Sequence, residues 1–153
     1  MKITSVTPKT DSFKIEIKNN VFTIGSCFSV EIAKYLEKNG INVVCNPFGT
    51  IYNPYSIFKE LEILYNGDDI DPKNLIFENG VFFSPYCSTE FDGETENEAL
   101  KKINDTISEY RKKIKESDVF IITFGTAIVY KIKKSGEITA NCHKLPDNIF
   151  EKT

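Results

Sequence analysis

An α/β fold on a parallel sheet is what the sequence predicts, and three observations carry that prediction. First, the apolar run Val21-Phe22-Thr23-Ile24 ends at Gly25-Ser26 and passes straight into apolar residues at helical spacing. Second, another apolar run, Ile41 to Cys45, follows at once, so strand, helix and strand succeed one another as a βαβ unit with parallel strands and a right-handed crossover. Third, Val119-Phe120-Ile121-Ile122-Thr123-Phe124 is continuously apolar, the pattern of a parallel strand covered on both faces.

Each element has its own local cause. In the first helix Phe28, Ile32, Tyr35 and Leu36 form the expected inner face, Glu31 sits in the first turn, Lys38 in the last, and Gly40 stops it. Asn46-Pro47-Phe48-Gly49 and Asn53-Pro54 make residues 46 to 54 a structured loop at the carboxyl end of the second strand. A helix from Pro54 or Tyr55 to Tyr65 follows, with Ile57, Phe58, Leu61 and Leu64 inward, until Asn66-Gly67-Asp68-Asp69 breaks it. Leu75-Ile76-Phe77 and Val81-Phe82-Phe83 flank Asn79-Gly80, a pair that favours a tight hairpin. Thr95 to Ser117 holds the longest helix, whose Leu100, Ile103, Ile107, Tyr110 and Ile114 read as core. Beyond Gly125, Ile128, Tyr130 and Ile132 alternate into a turn at Ser135-Gly136 and return through Ile138 towards Asn141-Cys142-His143-Lys144.

Composition narrows the function classes. With 153 residues, 41% hydrophobic and 27% charged, the chain reads as one globular domain able to bury a sizeable core. A net charge of −3 gives no footprint for nucleic acid. Lys112, Lys113 and Lys115 are interleaved with Glu109 and Glu116, as on a solvated helix face. The N-terminus lacks the apolar core of a signal peptide and no stretch has the length of a membrane span, so a cytoplasmic protein without a membrane partner is expected. Cys27, Cys45, Cys87 and Cys142 are scattered, with one histidine to join them, so free thiols are expected, with no metal site.

The chemistry concentrates at strand ends. In an open parallel sheet, ligands bind beyond the carboxyl ends of the strands, at the point where the helices change face. Three loops leave such ends: Gly25-Ser26-Cys27, Asn46 to Thr50 and Gly125-Thr126-Ala127. With strand order 2-1-3 they converge on one crevice with Ser26 in the middle. A hydroxyl at a glycine turn before a helix meets the partial positive charge of the helix N-terminus, where a nucleophile is well placed. The alternative is that Ser26 or Ser29 only caps the helix. Cys27 is the neighbouring rival nucleophile, and its position after Ser26 is expected to turn it into the protein. Nucleotide binding is disfavoured, because one glycine and no following lysine match neither phosphate-binding fingerprint.

Ile24-Gly25-Ser26-Cys27-Phe28, Asn46-Pro47-Phe48-Gly49-Thr50-Ile51-Tyr52-Asn53-Pro54, Thr123-Phe124-Gly125-Thr126-Ala127 and Asn141-Cys142-His143-Lys144-Leu145-Pro146 together resemble the GSCFA-domain family. That family resembles a branch of the SGNH (GDSL-like) hydrolases, which implies a three-layer α/β/α sandwich with sheet order 2-1-3. The resemblance implies a serine hydrolase or acyltransferase acting on an ester of a small molecule or carbohydrate, with Ser26 as nucleophile and Gly49 as a backbone donor to an oxyanion. Gly25, Cys27, Asn46, Asn53, Gly125 and Thr126 would complete the oxyanion and substrate loops, and no cofactor is implied. The competing class is a non-catalytic ligand-binding or interaction module with the same fold.

The chain departs from the pattern in three places. The superfamily carries an asparagine oxyanion donor shortly after the glycine that ends the third strand, where this chain has Gly125-Thr126-Ala127-Ile128. In Tyr86-Cys87-Ser88-Thr89-Glu90-Phe91, Ser88 stands where the family tends to carry histidine. The superfamily's Asp-x-x-His motif is absent, which leaves His143 as candidate base or substrate contact, or as a histidine bonded to local backbone. The expectation is therefore an incomplete domain, the N-terminal portion of the family's unit, with the third strand at an open sheet edge through which copies self-associate.

Overall fold

The computed structural model describes residues 13–139 and 147–152. Asn141, Cys142, His143 and Lys144 lie outside the described residues. The order is β1 (Asn20–Gly25), α1 (Cys27–Lys38), β2 (Asn42–Cys45), α2 (Pro54–Asn66), β3 (Ile76–Glu78), β4 (Val81–Phe83), α3 (Glu96–Lys115), β5 (Val119–Thr123), β6 (Tyr130–Ile132), β7 (Ile138–Thr139) and β8 (Phe150–Lys152).

The expected parallel sheet is present in the order β2-β1-β5, the sequence order 2-1-3. Val21 pairs with Val43 on one side and Val119 on the other, and Gly25 is level with Thr123. Because strand side chains alternate, Phe22 and Ile24 face one side, in a single buried cluster with Ile57 and Leu64 of α2 and Ile103, Ile107 and Ile114 of α3. Helix α1 packs on all three strands, yet its buried Ala33 and Leu36 are outside that cluster, so helices flank both faces. Two small antiparallel sheets stand apart, β3-β4 and β7-β6-β8. The β3-β4 turn has φ 53° at Asn79 and 85° at Gly80, the left-handed pair that a two-residue hairpin requires. Strand β8 was not foreseen, and Ile128 lies outside β6 and is exposed.

The helices are where expected, but two present different faces. Helix α1 begins at Cys27, which leaves no acid in its first turn and makes Ser29, Ala33 and Leu36 the buried stripe. Phe28 and Tyr35 are exposed, because small residues line the side that lies against the sheet. In α2 the inward stripe is Ser56, Ile57, Glu60 and Leu64, and Phe58 is exposed. Glu60 occupies a core position that hydrophobic spacing alone assigns to apolar residues. Its carboxyl is fully buried, neither oxygen has a hydrogen-bond partner among the described residues, and burial holds its pKa well above the ordinary value of 4.5. In α3, Lys113–Glu109 and Lys112–Glu116 ion pairs at 2.7 and 3.4 Å confirm a solvated face.

Strand β5 corrects one expectation and supports another. Its apolar run implied cover on both faces, but Phe120 is 45% exposed and Phe124, just beyond it, 53%. The reason is topological: among the described residues β5 is the edge of its sheet.

Candidate functional site

Hydrogen bonds tie the second strand-end loop to the other two, and the end of β5 to the first. The Asn46 N–H donates to the Thr23 carbonyl at 3.0 Å and the Ile51 N–H to the Gly25 carbonyl at 3.1 Å, so the second loop extends along the end of β1. Asn46 Oδ1 accepts the Gly25 N–H at 2.8 Å and the Ser29 hydroxyl at 3.1 Å. The Gly125 and Thr126 amides both donate to the Tyr52 carbonyl, at 2.8 and 3.2 Å, tying the third loop to the second. Ser26 closes the circle by donating its N–H to the Thr123 carbonyl at 3.1 Å and to Thr123 Oγ1 at 3.0 Å.

Backbone shape sets this geometry. Gly25 has φ +126°, and a Cβ there would lie 2.0 Å from the Thr123 carbonyl oxygen, so only glycine lets β1 and β5 close so tightly at their ends. Asn46 has φ 42°, a left-handed conformation that asparagine tolerates better than most residues, and its side chain then folds back onto the turn. Gly49, at φ +89°, packs against Ser88, whose hydroxyl is buried without a partner among the described residues. Ser88 thus abuts the second loop, and its amide donates to the Phe48 carbonyl at 2.8 Å.

Ser26 is the N-cap of α1 by position, but its side chain makes no capping bond. Its Oγ lies instead 2.9 Å from Thr123 Oγ1. Ser29 does not cap through its side chain either; its hydroxyl donates to the Ser26 carbonyl at 2.7 Å as well as to Asn46. Ser26 is 5% exposed, and Cys27 reverses the expected orientation: it is exposed at the first residue of α1. An N-terminal helical residue points away from the following turns, and α1 lies on the sheet along the Ser29–Ala33–Leu36 stripe, leaving Cys27 outside.

The remaining loop residues have local bonds. The Gly49 N–H, the implied oxyanion donor, donates to the Asn46 carbonyl at 2.8 Å. Asn53 is 2% exposed and caps α2 by accepting the Ser56 N–H at 2.8 Å. Thr126 Oγ1 accepts the Ile128 N–H at 3.0 Å, so that hydroxyl is held within its own loop. Gly125 carries no side chain because Tyr52 fills the space: a Cβ would sit 2.5 Å from Tyr52 Cδ1.

Thr123 is the residue that reading the sequence missed. It looked like one more member of an apolar strand, and its signal was positional: as the last residue of β5 it falls level with Gly25 once the order 2-1-3 is drawn.

Elsewhere, a cavity of about 780 Å³ lies between β3 and the small sheet, lined by Leu75, Phe77, Ile132, Glu137 and Ile149 among others, and none of the three loops contributes to it. Beside it the Tyr86 hydroxyl donates to Glu137, and burial together with that carboxylate pushes the phenol pKa up. Among the described residues no group of three or more histidine, cysteine or acidic side chains could hold a metal, and no helix is long and apolar enough to cross a membrane.

No curated protein and no solved structure matches the chain. The family model that does match is that of the GSCFA family, over residues 20–153, from the first residue of β1 through all three loops, and the chain belongs to that family.

Proposed function

We propose that the crevice at the carboxyl ends of β1, β2 and β5 is the acyl-transfer site of a serine hydrolase or acyltransferase, with Ser26 as nucleophile. One observation carries the reading: the Ser26 hydroxyl, at the N-terminus of a 12-residue helix, is released from capping and lies where three loops meet. Ser26 Oγ would bond to the carbonyl carbon of an ester as its own proton passes to a base, and the carbonyl electrons would move onto oxygen. Collapse of that oxyanion breaks the ester C–O bond, and the leaving alcohol takes up the proton. Water or an acceptor hydroxyl then attacks the acyl-Ser26 and releases the enzyme. The N-terminal dipole of α1 favours the negative charge that develops at this point. His143, the one imidazole of the chain, is the candidate base or substrate contact. The substrate class the family resemblance favours is an ester of a small molecule or carbohydrate.

A second reading, a binding module without turnover, has an observation of its own. The Ser26 and Gly49 amides, two donors that an oxyanion would need, both donate inside the protein. A fluorophosphonate probe separates the two readings. Attack by Ser26 Oγ on phosphorus expels fluoride and leaves a stable phosphonate ester, so the nucleophile reading expects labelling that Ser26→Ala abolishes. Labelling that survives Ser26→Ala and disappears in Cys27→Ala would transfer the role to the exposed thiol. No labelling of the wild-type protein would favour the binding module.

A further inference from the structure

We propose that Thr123 is the positioning residue of the nucleophile, a hydroxyl that donates to Ser26 Oγ and so frees the Ser26 proton for a base. The inference rests on the reading of Ser26 as nucleophile and adds to it a residue that none of the three strand-end loops contains.

Thr123 Oγ1 accepts the Ser26 N–H at 3.0 Å, and an amide can only donate, so one lone pair of that hydroxyl is committed. The same oxygen lies 2.9 Å from Ser26 Oγ, and that bond can run in either direction. Only one direction serves attack. If Ser26 donates to Thr123, its proton points at a neutral hydroxyl that cannot accept it outright. If Thr123 donates, the Ser26 proton is free to point elsewhere, and the bond strengthens as charge grows on Ser26 Oγ, since hydrogen bonds to ionised acceptors are shorter and about twice as strong.

The scaffold fixes Thr123 for this task. It ends β5 in register with Gly25, its carbonyl accepts the Ser26 N–H at 3.1 Å, and the absence of a Cβ on Gly25 allows the approach. A β-branched side chain also has few rotamers to choose from, so the hydroxyl is held with little entropy left to lose. Ser26 and Thr123 are 97 residues apart in sequence, so the contact exists only because β5 lies beside β1.

The test compares second-order rates of fluorophosphonate labelling across pH for the wild-type protein, Thr123→Ser, Thr123→Val and Ser26→Ala, each checked for cooperative unfolding in urea. Thr123→Val keeps the shape and removes the donor. It should label roughly 10–100-fold more slowly, as expected for losing one hydrogen bond to a charged group, and its pH profile should move to higher pH. Thr123→Ser should restore both rate and profile. If T123V does not fold, Thr123→Cys, with its weak S–H donor, serves the same comparison and should fall between wild type and Ser26→Ala. A folded Thr123→Val with wild-type rate and profile overturns the inference and leaves Ser26 standing as nucleophile. A wild-type protein that labels no faster than Ser26→Ala removes the nucleophile itself, and the role of Thr123 falls with it.

Discussion

At the end of β1, the polar atoms of Gly25, Ser26, Ser29, Asn46 and Thr123 answer one another, whereas one turn of α2 buries Ser56 and Glu60 with no partner for either side chain among the described residues. Both regions take polar groups out of water, which costs about 1–3 kcal/mol for each group left unsatisfied. In the first the cost is met by bonds that also fix geometry, so the expenditure yields a positioned hydroxyl. In the second no partner among the described residues offsets it, and burial raises the carboxyl pKa well above 4.5, since the charged form would lie in a dry interior. The difference teaches that burial alone does not mark a site; it is the convergence of bonds from separate elements that separates the Ser26 turn from the interior of α2.

The strongest way to break the paired region is Gly25→Ala. The new methyl would need to occupy a point 2.0 Å from the Thr123 carbonyl oxygen, on a backbone whose φ of +126° disfavours any side chain. Strained dihedrals cost roughly 1–3 kcal/mol and overpacking about 1–3 kcal/mol more, a sum comparable with much of a domain's stability. Urea unfolding should show that loss. Gly40→Ala, where a Cβ would meet nothing within 4 Å, is the control that bears only the dihedral cost of its φ of +79°. Equal losses in the two variants would mean that the β1–β5 closure is not tight.

Much of the paired region was legible because its parts leave local marks. Gly25-Ser26 between an apolar run and an amphipathic one, Asn46 and Gly49 in a polar-punctuated loop, and Gly125 at the end of an apolar strand each signal a turn. The βαβ pattern supplied the parallel order, and the three loops met as that order requires. What stayed hidden depends on which way a side chain points. Cys27 faces water and Ser26 faces Thr123, although one turn of sequence contains both. Glu60 was invisible for the same reason: a glutamate at helical spacing reads as solvated, and only packing against the rest of the core makes it interior. Phe28 and Tyr35 face out because the small Ser29 and Ala33 suit the close helix–sheet contact of α1, and Phe58 faces out because α2 turns Ser56, Ile57, Glu60 and Leu64 inward.

The unpaired region is sharpened by Glu60→Gln. Because the folded-state pKa of Glu60 lies above its ordinary 4.5, the folded chain holds its proton more tightly than the unfolded chain does. The stability this supplies is fully present below pH 4.5 and is lost as pH rises towards the raised native value. Within that window the slope is about 1.36 kcal/mol per pH unit. The amide cannot ionise, so Glu60→Gln should unfold with a midpoint that no longer carries this component, and its advantage over the wild type should grow as pH rises above 4.5 until the raised native value is passed. Urea midpoints measured across that range decide the matter. A wild type and a variant that keep parallel profiles would mean that Glu60 has a partner or water in solution, and the contrast with the Ser26 turn would shrink.

The smallest effect on stability is expected where the unmet groups are apolar and face outward. From Val119 to Tyr130 the chain carries no charge, and among the described residues β5 is the open edge of its sheet, with Phe120 within it and Phe124 just beyond it exposed. Edge strands escape self-pairing through charges, prolines or bulges, and this stretch has neither charge nor proline. We propose that copies associate through this edge. Phe124→Lys places a charge beside the edge and removes a ring that lies 6.4 Å from that of Phe58, at a site where the loss of stability should stay within about 1 kcal/mol. Sedimentation at rising protein concentration should show the wild type associating and Phe124→Lys remaining smaller. Tyr35→Lys, on the solvent side of α1 and 68% exposed, adds the same charge away from the edge and should leave association unchanged. If both substitutions reduce association alike, net charge and not the β5 edge controls it; if the wild type stays monomeric throughout, the edge is covered by other means and the proposal fails.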